Sequence, residues 1–347
     1  MRICFVSDIH IDRVTCGVSR FEDIWDSLVK IISYEYDWLF FLGDWADPDN
    51  RVSLRSGAAA IKFEDILDRP TYWITGNHDV LEDGYGTHTL LSLQAKYRES
   101  VFSRPKYVEE NQFRLLALPY ASRANAYQPG EFIKKARETI KDDKRPLIII
   151  GHLDCEGITP GSEVNEMARG REVFWPTKEI AECFPDALCF GGHIHQKQVY
   201  EKDGCRIQIV GSLSRLSFDE QDHVPGIHIL DTETRELEFI PIEAPVFDTF
   251  YPGVLLAPNI RFVRVTQPAA MEDSEFKKLK EYLVSCGCAI KVLPKERKRK
   301  PVAKTKAKAV NVANPRQVVE SLIETSNSKD KKSLKDECQA RMDEHKI

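Results

Sequence analysis

Five short segments place metal-binding residue types at regular offsets. Asp8 and His10 stand two apart, and Gly43-Asp44-Trp45-Ala46-Asp47 follows. Then come Gly76-Asn77-His78-Asp79, Gly151-His152 and Gly191-Gly192-His193-Ile194-His195. Imidazole, carboxylate and amide oxygen in one set suit a borderline or hard divalent ion rather than a thiolate site. Four histidines with one shared carboxylate are enough for two metals. Such pairs sit ~3.5–4 Å apart and clamp the attacking and leaving oxygens of a phosphoryl displacement. Each segment alone has a plainer reading. A glycine turn with Asn and Asp is ordinary turn chemistry, Asp8 or Asp44 could cap a helix, and His152 could be a core histidine bonded to a carbonyl. Five such segments, each behind an apolar run, outweigh those readings together.

The runs in front of them are what must position these residues. Arg2 to Val6, Trp38 to Leu42, Tyr72 to Ile74, Leu147 to Ile150 and Ala187 to Phe190 are short, continuous and apolar, as strands of a parallel sheet are. Ligands in open α/β sheets sit at the carboxyl ends of strands, where these motifs fall. Between the runs the pattern predicts helices over 21–34, with Phe21, Ile24, Trp25, Leu28 and Ile32 on one face, and near 57–68, 88–99 and 130–140. Phe113 to Leu118 is a further strand. From 197 onward, short alternating runs at 197–201, 206–210, 226–231 and 236–241 predict an antiparallel section. Alternating β and α followed by strands predicts one layered α/β domain with two sheets. Residues 246–258 read as a Pro/Gly-containing connector. A small βαβ unit follows, from Ile260 to Thr266, a helix near 273–285, and Ala289 to Leu293.

Composition sets limits on the whole. The chain has 347 residues, 42% hydrophobic and 30% charged, which is enough for one large domain and something smaller. No apolar run reaches the ~18 residues of a membrane span. The run from Ile3 to Ser7 is too short for a signal peptide. The nine cysteines are scattered without C-x-x-C spacing and read as reduced thiols of a cytoplasmic protein. Net charge is −5, but residues 291–347 hold 16 Lys+Arg against 8 Asp+Glu, leaving the first 290 at −13. An acidic body argues against bulk electrostatic binding of DNA and suits a body that holds cations. Residues 294–314 have linker composition, and two amphipathic helices are predicted near 315–326 and 330–345.

The ordered motif series resembles the calcineurin-like metallophosphoesterase superfamily over roughly residues 1–245. That resemblance implies a two-sheet α/β/β/α sandwich. It also implies that Asp8, His10 and His195 hold one metal, that Asn77, His152 and His193 hold a second, and that Asp44 bridges them. The metals would be two divalent ions, manganese by family habit. His78 would contact the scissile phosphate or assist the leaving oxygen, and Asp79 would orient His78. Thr75 and Asp79 stand where phosphoprotein phosphatases of the superfamily carry Arg and Glu. The layout looks more like the DNA-repair nuclease branch, which includes bacterial SbcD, the meiotic-recombination nuclease and the recombination nuclease subunit of T-even phages. Ile209-Val210-Gly211-Ser212-Leu213, the stretch from Ile227 to Ile242 and the βαβ unit resemble later parts of that branch.

The expectation that follows is a dimetal DNA exonuclease/endonuclease subunit of a bacterial or phage SbcCD-type complex. Residues 1–245 would be the nuclease domain, 246–294 a small cap domain, 295–314 a basic linker, and 315–347 a helix pair docking on an SbcC-type coiled-coil ATPase. Two alternatives stay open: a free-standing phosphodiesterase for small nucleotides, and a metal-binding adaptor that mainly clamps the ATPase. Cellular members often carry a further His after the second motif, but here Asp49, Asn50 and Arg51 occupy that loop, which leaves exonuclease polarity open. Helices near 57–68 and 88–99 could form a homodimer contact, or Leu90, Leu91 and Leu93 could simply face the sheet. His88 reads as a helix-start residue, and His223 and His228 as structural. The charge run at 295–308 reads as a solvated linker or a direct DNA contact.

Overall fold

In a computed structural model, residues 1–47, 53–81, 87–121, 127–140, 144–158, 173–250, 260–268 and 271–293 are described. The chain divides into a unit over Met1–Lys295 and a second over Glu296–Ile347. The described residues all belong to the first. The expected basic linker and helix pair lie outside them.

Alternation along each strand builds the layers. In β1 (Arg2–Val6), Ile3 and Phe5 face one side and Cys4 and Val6 the other, and all four are fully buried. A strand buried on both faces needs cover on both. β1 pairs in parallel with β4 (Trp38–Leu42), which pairs in parallel with β5 (Thr71–Ile74) and so on to β6 (Val101–Phe102). On its other side β1 pairs antiparallel with β13 (Gly226–Asp231), which pairs with β14 (Leu237–Pro241). A second six-stranded sheet runs β11 (Gln198–Lys202), β12 (Cys205–Ile209), β10 (Leu188–Gly191), β9 (Leu147–Gly151), β8 (Arg114–Leu118) and β7 (Lys106–Glu109). Its inner four strands are parallel and its edges antiparallel. β2 (Val14–Thr15) and β3 (Val18–Ser19) form a small hairpin.

The inner faces of the sheets meet in one core of Ile3, Phe5, Phe40, Leu42, Ile74, Leu115, Ile148 and Phe190, where the rings of Phe5 and Phe190 stack at 3.8 Å. Outside the first sheet pack α1 (Phe21–Ile31), α2 (Leu54–Ile66) and α3 (Leu91–Lys96), while α4 (Pro129–Thr139) and α5 (Thr177–Cys183) pack outside the second. The layers are α/β/β/α, as the resemblance implied. No helix among the described residues is long and apolar enough to cross a membrane.

Three expectations need correction. The section after residue 197 is antiparallel within its two hairpins, β11–β12 and β13–β14, as expected, but it is divided between the two sheets and one of its strands pairs in parallel. β12 joins β10 in parallel, and β13 returns to the first sheet beside β1. The stretch at 246–258 holds a strand, β15 (Val246–Phe250), parallel to β16 (Ile260–Thr266). β16 pairs with β17 (Ala289–Leu293), and α6 (Asp273–Ser285) connects them, completing the predicted βαβ unit. His88 does not start a helix. It bridges Val80 in a short antiparallel contact, and the Thr89 amide donates to the Asp79 carbonyl at 2.8 Å, so α3 begins only at Leu91. Leu90 and Leu93 are buried, while Leu91 is 43% exposed.

The three-stranded sheet is joined to the body by a buried cation. Arg20 has no exposed surface and lies over the rings of Phe262 (4.8 Å) and Phe247 (5.5 Å). It pairs with Asp23 at 2.8 Å and donates to the Arg215 carbonyl and the Ser214 hydroxyl. A buried charge needs this full set of partners.

Candidate metal centre

The sheets converge at the carboxyl ends of β1, β4, β5, β9 and β10, and backbone contacts lace these loops together. The amides of Ile9 and His10 both donate to the Asp44 carbonyl, at 2.9 and 3.0 Å. The Leu42 carbonyl accepts from the Ser7 hydroxyl and from His152 Nδ1. Such lacing demands close approach. A Cβ on Gly76 would lie 2.1 Å from Asp44 Oδ1, so only glycine lets the third motif reach the second. Asp8, His10, Asp44 and His193 all take positive φ, from 49° to 81°. Non-glycine residues hold that conformation only where the surroundings over-determine it, and such positions cluster at functional sites.

All nine expected residues come to this edge. Asp8, His10 and His195 form one group, and Asp44, His152 and His193 another. Each offers ligand atoms within 4.8 Å of one another, all from buried residues, and His10, Asp44 and His78 form a third such group. Asn77 Oδ1 lies 2.9 Å from His152 Nε2 and 3.1 Å from His193 Nδ1. His152 Nε2 is 3.3 Å from Asp44 Oδ2, and His10 Nε2 is 3.8 Å from that same oxygen. Asp44 therefore stands between the two groups, where a bridging carboxylate belongs. Its other oxygen accepts from the His78 amide at 2.9 Å.

Each histidine fixes one nitrogen on an oxygen behind it and turns the other inward. His10 Nδ1 meets Asp47 at 3.0 Å, His195 Nδ1 meets Glu220 at 2.9 Å, His152 Nδ1 meets the Leu42 carbonyl at 2.7 Å, and His193 Nε2 meets Asp154 at 2.8 Å. Those partners set the neutral tautomers: in a neutral ring the inward nitrogen is the one that can offer a lone pair to a metal. Three rings face in through Nε2 and His193 through Nδ1. The inward nitrogens of His10 and His195 are only 3.2 Å apart in a buried pocket. Two lone pairs at that distance repel unless a cation lies between them. With Asp8 and Asp44 beside them, the donor set suits a divalent ion.

Electrostatics agree. Burial pushes the Asp44 carboxyl up, but His152, His78 and His10 outweigh it and hold the group well below the usual carboxylate range. Burial pushes His152 down, yet Asp44 and Asp8 raise it to about 9.

Asp79 does not take the role expected of it. Its Oδ1 accepts from the Ala46 amide at 3.0 Å and its Oδ2 from the Gly76 amide at 2.8 Å, so both oxygens are spent on backbone rather than on the His78 ring. It clips the second and third motif loops together. Burial and the neighbouring Asp44 push its pKa up to about 6. The residues that do orient imidazoles are Asp47, Asp154 and Glu220. Asp47 stands in the second motif and Asp154 two residues after His152, whereas Glu220 is remote in sequence from His195. His228 is a buried strand residue whose pKa burial and Lys197 lower to about 4, as suits a structural histidine.

A family model described as calcineurin-like phosphoesterase matches residues 1–197. No curated protein matches the chain. Among solved structures, similarity extends to a purple acid phosphatase, PPD1, from yellow lupin (Lupinus luteus) seeds. Identity is 14% and the TM-score 0.46, covering 70% of this chain and 51% of that one. The chain thus spans about half the length of the lupin enzyme. It extends also to the phosphopantetheinyl hydrolase PptH of Mycobacterium tuberculosis, with 15% identity, TM-score 0.32, and 60% and 89% coverage. A third is zinc-complexed Vps29 of Entamoeba histolytica, with 12% identity, TM-score 0.31, and 68% and 89% coverage. The matched span contains all five motifs, and the chain belongs to the calcineurin-like phosphoesterase family.

Proposed function

We propose that this metal-dependent phosphoesterase is a phosphodiesterase that cleaves DNA, acting as the nuclease subunit of a complex with an SbcC-type coiled-coil ATPase. The observation that carries the phosphoesterase chemistry is the inward convergence of four oriented imidazoles with the Asp8 and Asp44 carboxylates. Two divalent cations held there would supply Lewis acidity toward a phosphodiester and lower the pKa of a water. Asp8, His10 and His195 would hold one, Asn77, His152 and His193 the other, with Asp44 common to both. The chain's own work is positioning. Asp47, Asp154 and Glu220 keep each ring in the tautomer a metal needs. The half-buried His78 ring lies 4.8 Å from that of His10 and would meet a phosphate oxygen or give a proton to the departing one.

The choice of DNA rests on the resemblance to the nuclease branch. Two observed features support it: the β13–β14 hairpin after the last motif, and the βαβ unit at its expected position. Manganese is the proposed metal. The experiment is cleavage of single-stranded DNA beside p-nitrophenyl phosphate and bis-p-nitrophenyl phosphate, with EDTA and with manganese restored. The expected result is manganese-restored cleavage of DNA and of the diester. Hydrolysis confined to the monoester would reject the diesterase reading, and cleavage persisting after exhaustive metal removal would reject the site itself.

A further inference from the structure

The oxygens behind the four metal-facing histidines differ in origin. Asp47, Asp154 and the Leu42 carbonyl belong to the strand ends and loops that carry the motifs themselves. Glu220 does not. It ends a short 3-10 turn, Phe218–Glu220, between β12 and β13. That turn packs on the small sheet of β15, β16 and β17.

Phe218 makes the main contact. It is 4% exposed, and its ring meets Phe247 of β15 edge to face at 5.1 Å. Phe247 in turn stacks on Phe262 of β16 at 4.6 Å. The three rings form a buried cluster of their own, apart from the cores of the large sheets. Arg264 of β16 lies over the Phe218 ring at 5.4 Å and Lys291 of β17 at 5.7 Å. Arg264 is also 3.9 Å from the Asp219 carboxylate. All three strands of the small sheet thus touch this turn. Arg215, just before it, donates to the carbonyls of Ala244 and Pro245 at 3.4 Å, directly ahead of β15.

The path from Phe218 to the metal edge is short and stiff. A 3-10 turn rises about 2.0 Å per residue, so Phe218 and Glu220 are on the order of 4 Å apart along its axis. Ser217 caps the turn, its hydroxyl accepting from the Asp219 amide at 3.3 Å. The fully buried Glu220 is held at Oε2 by the Leu216 amide, 2.7 Å away, and meets His195 Nδ1 through Oε1 at 2.9 Å. Displacing the Phe218 ring therefore displaces the carboxylate that orients His195, and outer partners of this kind tune a metal-binding histidine. His152 and His193 take their outer oxygens from Leu42 and Asp154 instead.

We propose that Phe218 is a positioning residue for the metal edge. Seated against the small sheet, it holds Glu220 and through it His195, so that seating of that sheet and occupancy of the Asp8, His10 and His195 position favour each other. The position around Asn77, His152 and His193 is independent of the seat. The inference rests on the reading of this edge as a two-cation site and not on the choice of DNA as substrate. Linkage between bound states is reciprocal, so the factor by which the seated sheet tightens the cation is the factor by which the cation tightens the seat. Whatever lifts or clamps the small sheet then acts on one cation of the pair.

The test is manganese titration of the full-length protein by calorimetry, with paramagnetic resonance to tell coupled from single ions, beside hydrogen exchange with and without manganese. The variants are Phe218→Ala, Phe218→Leu and Ile133→Ala, the last in the buried core that α4 makes outside the second sheet. Phe218→Ala should weaken one manganese step about tenfold, the low end of what disturbing the outer partner of a metal-binding histidine costs, and leave the other step unchanged. Phe218→Leu keeps apolar bulk in the seat and should recover most of that loss. Ile133→Ala should destabilise the fold comparably and leave both steps unchanged. In the wild type, loading should slow exchange of the β15 and β16 amides by the same factor of about ten, and Phe218→Ala should remove that response. Unchanged steps in Phe218→Ala, equal weakening of both, or the same selective loss in Ile133→Ala would overturn the proposal. Should Phe218→Ala fail to fold, the wild-type exchange decides: no slowing in β15 and β16 while the Ile9 and His10 amides slow would overturn it equally. A wild type that binds no manganese would reject the two-cation reading itself, and this inference with it.

Discussion

Glu220 lets the two metal positions be addressed one at a time. It is fully buried, and its oxygens have separate tasks: Oε1 accepts from His195 Nδ1 at 2.9 Å and Oε2 from the Leu216 amide at 2.7 Å. A carboxylate can accept at both ends, whereas an amide has one oxygen. In Glu220→Gln, either the ring or the Leu216 amide must face an NH₂ group. If the ring does, Nδ1 loses its acceptor, the proton moves to Nε2, and the inward lone pair disappears. If the amide does, a buried donor is orphaned at about 1–3 kcal/mol, and the loop carrying Glu220 shifts. Either way, changing an outer partner of a metal-binding histidine costs about 10–100-fold in metal affinity. The loss should fall on the position shared by Asp8, His10 and His195. Asp154→Asn disturbs His193 instead and should weaken the other position. Manganese titration by calorimetry, with paramagnetic resonance to separate coupled from single ions, reads the two steps. Equal weakening of both positions by Glu220→Gln, or none, would refute the assignment of ring nitrogens.

His78→Ala should retain both metals by elemental analysis yet lose about 10²–10⁴ in kcat, since it removes proton-transfer chemistry and no ligand. In the metal-free protein the His152 ring, raised to about 9, is charged at neutral pH. Metal requires it neutral, so binding should release a proton and apparent affinity should rise as pH rises toward 9, readable in buffers of different ionisation enthalpy. The same shift sets a stability trend for the EDTA-treated protein. A raised histidine stabilises fully below its ordinary value of about 6.5 and loses that contribution as pH climbs through 9. Its melting temperature should therefore fall over that window. Truncation after Ala313 should leave manganese-dependent cleavage of short single strands intact and abolish co-purification with the ATPase, whereas full retention of the ATPase would reject docking by the terminal helices.

The candidate ligands were legible because each sits within a few residues of an apolar strand, and strand plus glycine turn is a local pattern. β1, β4, β9 and β10 lie where their apolar runs predict, to within a residue. The partners behind the histidines were less visible. Asp47 and Asp154 lie inside or beside motifs, but nothing local says that their side chains point back toward an imidazole. Glu220 reaches His195 only through the β10–β12 crossover and the turn near Ser217, a tertiary fact. Asp79 was misassigned for a related reason, since adjacency to His78 suggested a ring contact, while the backbone geometry of Gly76 aims the carboxylate at amides. β15 was hidden by Pro245, Pro252 and Gly253 around it. Its pairing with β16 and the seating of Phe247 against Phe262 and Arg20 supply what its own composition lacks.

The four positive-φ residues at the metal edge have a consequence for local opening. At about 1–3 kcal/mol each, their combined tendency to relax is comparable with the ~5–15 kcal/mol that keeps a typical domain folded. Three of the loops that carry them are tied through one carbonyl or one carboxylate, those of Asp44 and Asp8. Without cations, these loops are where the fold can release tension while its sheets stay intact, so the protein should open first at its chemistry and last at its core. The amides of Ile9 and His10 then act as gauges: their exchange with solvent should be fast in EDTA and slow sharply on loading, while amides of the inner strands hardly notice.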